Sequence, residues 1–182
     1  MQDIKELSIE GLIAVLKEWG YPAFRASQIF GWIYKKGENS FSRMSNLPQV
    51  LREKLAGSFV SGTVKLREKF ISDDGTEKFL FELNDKDLIE GVAIPAESRV
   101  TACISTQAGC KFSCRFCASG LLGFRRDLSA AEMIDEALII KSHCRPKQFS
   151  HVVFMGSGEP LDNYENLIKA IRTINAPWGL GI

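Results

Sequence analysis

Apolar residues along the first sixty positions recur every three or four places. Ile9, Leu12, Ile13, Leu16 and Trp19 make one such stripe, with Ser8 placed to cap the helix and Gly20 to end it. Ile29, Phe30 and Ile33 predict a second helix over 25–36, with Gly37 beyond its end. Pro48 suits the first position of a third, which runs through Val50, Leu51 and Leu55 to Gly57. Residues 1–60 are therefore expected to form a helical module. The period then drops to two. Strands are predicted over 64–72, 76–83 and 88–95, separated by Asp73-Asp74-Gly75 and by Asn84-Asp85-Lys86-Asp87, which makes 61–97 an antiparallel meander. From 98 to 182 the pattern alternates: strand 100–105, a long loop, helix 129–142, strand 151–155, a loop and helix 164–175. Such βαβα order calls for parallel strands joined by helical crossovers, so the fold class is α/β and the last segment reads as the first units of an incomplete (β/α) barrel.

Composition adds a compartment and a charge asymmetry. No apolar run approaches the roughly 18 residues of a membrane helix, and Met1–Glu10 is too acidic for a signal peptide, so a cytoplasmic protein without a membrane partner is expected. The net charge is +1, yet residues 1–70 hold 11 Lys and Arg against 7 Asp and Glu, a balance of +4. A basic amino-terminal part can meet phosphate or simply present a solvated surface. Five cysteines in a reducing compartment point to metal or redox work, because structural disulfides are rare there.

Three of those cysteines fall within eight residues, in Gly109-Cys110-Lys111-Phe112-Ser113-Cys114-Arg115-Phe116-Cys117. Thiolates at this C-x3-C-x2-C spacing can bind three irons of a 4Fe-4S cluster and leave the fourth iron open for S-adenosylmethionine. Lys111 and Arg115 are expected to favour the thiolate forms. The competing reading is a zinc knuckle closed by Cys103 as a fourth thiolate. A second motif follows the apolar run His151-Val152-Val153-Phe154-Met155, namely Gly156-Ser157-Gly158-Glu159-Pro160-Leu161. Its glycines permit close approach of the backbone to a ligand, and the carboxylate can accept hydrogen bonds from an ammonium group. Both motifs lie in loops after strands, where parallel α/β folds build their sites.

These two motifs resemble those of the radical S-adenosylmethionine superfamily. Within it, Phe24-Arg25-Ala26-Ser27-Gln28 through Trp32-Ile33-Tyr34, Ser45-Asn46-Leu47-Pro48, Cys103-Ile104-Ser105-Thr106-Gln107-Ala108-Gly109-Cys110 and Gly158-Glu159-Pro160-Leu161-Asp162-Asn163-Tyr164 resemble the RlmN/Cfr family. The resemblance spans nearly the whole chain. It implies methylation of adenine C2 in 23S rRNA and in certain tRNAs, with a 4Fe-4S cluster on Cys110, Cys114 and Cys117 and S-adenosylmethionine held at Gly158 and Glu159. It also implies a radical-SAM barrel, an electron donor to reduce the cluster, and a monomer. Cys103 matches the family cysteine that resolves the protein–RNA crosslink, and Glu90 matches the proton acceptor. The helical module, with Arg25, Lys35, Lys36 and Arg43, is the expected RNA-contacting part.

The methyl-carrying cysteine of that family lies further along its chains. Cys144 does not match it, and the later barrel strands are absent, so a fragment unable to turn over is expected. Another radical S-adenosylmethionine enzyme, or a zinc-stabilised RNA-binding module without catalysis, are the alternative readings.

Overall fold

Ser8 opens the first helix as its pattern predicts: its Oγ accepts from the Gly11 amide at 3.1 Å, and α1 (Ile9–Glu18) buries Leu12 and Leu16. Gly20 ends it at φ +80°, a left-handed value that costs glycine little. The computed structural model describes residues 1–112, 114–121, 123–144 and 148–182 of the chain. Ser113 of the cysteine loop, and Arg145 and Pro146 beside Cys144, thus lie outside the described residues.

The second predicted helix is two pieces. α2 (Phe24–Phe30) continues into a π-helical turn over Gly31–Lys35, and Gly37 follows at φ +71°. The third, α3 (Gln49–Ser58), starts one residue later than its proline suggests. Pro48 keeps an extended ψ of 143° and stands before the first turn, and Gly57 lies inside the helix. Two short strands escaped the periodicity: β1 (Gln2–Asp3) pairs in parallel with β2 (Phe59–Val60). Beside them Lys5 is buried against Asp3, Nζ to Oδ1 at 3.0 Å, and donates to the Ser61 hydroxyl.

Contacts divide the chain into two units, Met1–Gly62 with Ile171–Gly181, and Thr63–Ala170 with Ile182. In the first, Ile4, Leu16, Ile29, Phe30, Ile33 and Leu51 are fully buried. The final turn belongs to this unit. Gly179 donates to Ala176 at 2.9 Å and Gly181 to Ile174 at 3.0 Å. That turn stacks Trp178 on Phe30 with ring centroids 5.2 Å apart, and Tyr34 tilts against it at 6.1 Å. Trp178→Ala is expected to cost the protein about 2 kcal/mol, the loss of a half-buried aromatic and its ring contacts, read as a lower denaturant midpoint.

Among the described residues the second unit holds seven strands: β3 (Lys65–Ile71), β4 (Glu77–Glu82), β5 (Leu88–Pro95), β6 (Arg99–Cys103), β7 (Gln107–Gly109), β8 (Phe124–Asp127) and β9 (Gln148–Val153). Five of them make one sheet of order β3-β4-β5-β6-β9, and β7 pairs apart from it with β8. The meander and the barrel units are thus one mixed sheet: β3 to β6 pair antiparallel, while β6 and β9 pair in parallel. The short α4 (Ala118–Leu121) lies between β7 and β8, and a crossover through α5 (Ala130–His143) leads to β9. Ser129 and Glu132 form a capping box at the start of α5, each side chain accepting from the other's amide. Packed on β5 and β6, this helix buries Met133, Ile134, Ala137 and Ile140 against Phe79, Phe81, Ile89, Ala93, Val100 and Ala102. α6 (Tyr164–Asn175) closes the second βα unit, and the boundary between the two contact units falls within it.

Candidate active site

Alternation along β5 sends Ile89, Gly91 and Ala93 toward α5 and therefore Leu88, Glu90, Val92 and Ile94 to the other face. Val92 pairs with Cys103, and Cys103 with Val153, so the register places Glu90 and Cys103 on one face of the sheet, opposite α5. Glu90 is exposed and its carboxylate pairs with the Lys78 ammonium at 2.7 Å. Cys103 is half-buried. That burial pushes its thiol above the ordinary range, against a smaller opposing effect of the Met155 amide, which donates to the sulfur.

Beyond β6 the chain enters a hairpin where the sequence pattern predicts only loop. β7 pairs antiparallel with β8, and the cysteine loop, including α4, is strung between them. Gly109 takes φ +75°, and a Cβ on it would overlap the carbonyl oxygen of Gly123, which accepts from the Cys110 amide at 3.2 Å. Charged side chains pin the hairpin from outside. Arg126 grips Glu132 with two bonds of 2.9 Å and also pairs with Asp85, while Arg125 meets Asp87 at 2.6 Å.

Within the loop the Cys110 thiol is buried, Cys114 is exposed and Cys117 is half-buried. The Cys117 thiol is held below its ordinary value chiefly by the Gly120 and Ser119 amides rather than by Lys111 or Arg115. Lys111 is engaged elsewhere, with Asp162 at 2.6 Å. Phe112, Phe116 and Leu121, close to the cysteines in sequence, are exposed. Among the described residues no three His, Cys, Asp or Glu side chains converge as a metal-binding group. The donor chemistry of the loop nevertheless suits iron and sulfide: three soft thiols in eight residues, with amides already directed at one of them.

The loop after β9 lies directly on the segment between β6 and β7. Thr106 and Gln107 amides both donate to the Ser157 carbonyl, at 2.9 and 3.1 Å, and the Ser157 amide returns a bond to the Ser105 hydroxyl at 2.9 Å. This contact explains the glycines. A Cβ at 156 would sit 2.7 Å from Ser105 Oγ, and one at 158, where φ is +102°, would sit 2.6 Å from Gln107 Cβ. The close approach expected for a ligand is therefore made first to the chain itself. Glu159 turns one carboxylate oxygen back to the Leu161 amide at 3.2 Å, opening a short 3-10 helix over Pro160–Asn163.

Three residues that the motifs gave no role join these pieces. Ser105 donates its hydroxyl to the Glu90 carbonyl at 2.7 Å and thereby ties β5 to the Ser157 loop. Gln107 is fully buried, and its amide spans Glu159, Asp127 and Asp162. Glu136, also fully buried, accepts from the Ser105 amide at 3.1 Å through one oxygen, while its other oxygen has no partner among the described residues. The spacing of Met133, Glu136, Ala137 and Ile140 is the signal that could have placed Glu136 on the buried face.

Known proteins share this sequence and fold. The family description "Ribosomal RNA large subunit methyltransferase N-terminal domain" matches residues 2–60. A "Probable dual-specificity RNA methyltransferase RlmN" of Dictyoglomus thermophilum is 43% identical over 184 residues, covering 100% of this chain and 53% of that protein. The "Probable dual-specificity RNA methyltransferase RlmN 3" of Opitutus terrae is 46% identical, covering 96% of this chain and 51% of that one. Among solved structures, a radical SAM methyltransferase from Sphaerobacter thermophilus superposes with a TM-score of 0.93 at 32% identity, over 100% of this chain and 54% of its own. The chain thus spans about half the length of the relatives it matches. Residues 2–60 thus match the amino-terminal domain of ribosomal RNA large subunit methyltransferases, and the whole chain is similar in sequence and fold to about half the length of proteins named RlmN and of a radical SAM methyltransferase.

Proposed function

We propose that this chain is the front part of an enzyme that methylates C2 of an adenosine in 23S rRNA and tRNA, using S-adenosylmethionine. One observation carries the reading. The strand bearing Glu90 and the Gly158-Glu159 loop both bond to the segment Ser105–Gln107, which follows Cys103 and leads through β7 into the cysteine loop. In this reading Cys110, Cys114 and Cys117 hold a 4Fe-4S cluster, which when bound supplies the electron that cleaves the sulfonium. Backbone at Gly158 and the Glu159 carboxylate receive the methionine end of the cofactor. Cys103, whose thiol is raised by burial, helps resolve the protein–RNA crosslink, and Glu90 on the same face is the proton acceptor.

Residues 1–60 would serve as the RNA-binding accessory domain, 61–97 as connector and 98–182 as the front of the radical core. Of the basic residues offered to RNA, Arg43 is mostly exposed beside Glu38, and Lys36 lies 3.4 Å from the centre of the Trp32 ring. Arg25 is partly spent on Gln28 and the Asn46 carbonyl, and Lys35 on the Leu180 carbonyl. A cytoplasmic monomer reduced by a separate electron donor completes the proposal. No helix among the described residues is long and apolar enough to cross a membrane.

The test is anaerobic rebuilding of the site with iron and sulfide, reduction, and EPR with and without S-adenosylmethionine. A reduced-cluster signal whose g-values shift on adding the cofactor is expected. A signal indifferent to S-adenosylmethionine, or a chain that takes up only zinc, would contradict the reading and favour a zinc-stabilised RNA-binding module.

A further inference from the structure

We infer that Gln107 is a positioning residue that fixes the cofactor loop against the cysteine loop, an inference that rests on the function proposed above. Its carboxamide has three partners of unambiguous polarity. Oε1 accepts from the Glu159 amide at 2.9 Å, and Nε2 donates to Asp127 Oδ1 at 2.8 Å and to Asp162 Oδ2 at 2.9 Å. Two carboxylates can only accept and an amide N–H can only donate, so the side chain has one permitted orientation. It is fully buried, which makes every one of these bonds expensive to lose.

The chain of contacts continues outward. Asp162 uses its other oxygen for Lys111, at 2.6 Å, and Lys111 follows Cys110 directly in sequence. One path of side-chain bonds therefore runs from the residue beside the first cysteine, through Asp162 and Gln107, to the backbone of Glu159. Ser157, two residues earlier, is clamped by the amides of Thr106 and Gln107. The loop that would receive the methionine end is thus set by the same residue that reaches the cluster loop, and binding need not order it again.

A glutamate in this place is isosteric but has the wrong polarity. It would set a third carboxylate among Asp127 and Asp162, and those repulsions would displace Glu159. In the protein with its cluster rebuilt, the apparent affinity for S-adenosylmethionine is read from the shift in the EPR signal. Gln107→Glu is expected to retain its iron content and bind about tenfold more weakly, the size of effect that follows loss of a buried charge-assisted bond. The triple variant Q107E/D127N/D162N inverts the whole arrangement, since both new carboxamides can then donate to the new carboxylate. The D162N side chain also keeps an oxygen that can accept from Lys111. This variant is expected to recover affinity to within about threefold of the parent, as restored pairing requires.

If Q107E does not fold, the triple variant carries the test by itself: a folded, cluster-loaded triple variant with near-parent affinity supports the role. Parent-like affinity in folded Q107E, or a triple variant that binds no better than about tenfold below the parent, overturns it. An unmutated protein that holds a cluster yet ignores S-adenosylmethionine removes the proposed function, and this inference falls with it.

Discussion

Gly109→Ala should unravel the hairpin that carries the cysteine loop and lower the stability of the chain by about 3 kcal/mol or more. Two costs add. The left-handed backbone at φ +75° is worth roughly 1–2 kcal/mol to any residue with a Cβ. The new methyl group would also overlap the Gly123 carbonyl oxygen, a backbone atom that no side-chain rotation can move aside. Relief requires opening β7 from β8, which takes the Cys110 amide off its acceptor. Gly20→Ala is the control. Gly20 has a similar φ of +80°, but among the described residues nothing beyond its chain neighbours comes within 4 Å of an added Cβ, so it should lose only about 1 kcal/mol. Denaturant midpoints of the two variants separate the steric cost from the conformational one. Equal losses would mean that the hairpin yields easily.

Glu136→Gln is expected to stabilise the chain at neutral pH and to flatten its pH dependence. Burial pushes the Glu136 carboxyl well above the ordinary carboxylate range. The Ser105 amide opposes this, and Glu132 and Asp135 on the same helix raise it further. The folded state therefore keeps a proton that the unfolded chain gives up near its ordinary value of 4.5. Because the native state holds more protons than the unfolded one, stability falls as pH rises above that value, by at most about 1.4 kcal/mol per pH unit, until the folded carboxyl itself ionises. Glutamine keeps an acceptor for the Ser105 amide and has no charge to desolvate. The variant should therefore gain on the parent as pH rises above 4.5, by at most about 1.4 kcal/mol per pH unit until the folded carboxyl ionises. Parallel pH profiles would show that Glu136 is ionised and paired.

What the sequence disclosed was what rests on repetition or on fixed spacing. The helical stripe of Ile9 to Trp19, the alternation through β4 and β5, and the βα order after residue 98 are local patterns, and the folded chain contains them. The β7–β8 hairpin was not legible. Its strands are three and four residues long, they pair across an intervening loop, and the pairing depends on one glycine and on charges from the β4–β5 turn and α5. The parallel pair of two-residue strands at Gln2 and Phe59 is equally non-local. The stacking of Trp178 on Phe30, almost 150 positions earlier, is non-local in the same way.

The candidate site divides along the same line. Cys110, Cys114 and Cys117 announce themselves by spacing, and Gly158-Glu159 by context. Glu90 and Cys103 were named through family resemblance, and only the register of β5 on β6 brings them to one face. Gln107, Asp162 and Ser105 lay inside the quoted motifs without a role, because their importance is in which atoms they reach. A glycine pair that reads as a ligand-binding loop proves to be pressed against the chain's own backbone.

The central claim is that Cys110, Cys114 and Cys117 together hold an iron–sulfur cluster. Its most direct test is the iron and sulfide content after anaerobic reconstitution, in the parent chain and in the variant C110A/C114A/C117A. The account predicts about four irons and four sulfides per chain in the parent, as one cubane cluster requires, and almost none in the variant. Equal iron and sulfide in both, or stoichiometric zinc in place of iron in the parent, would contradict it.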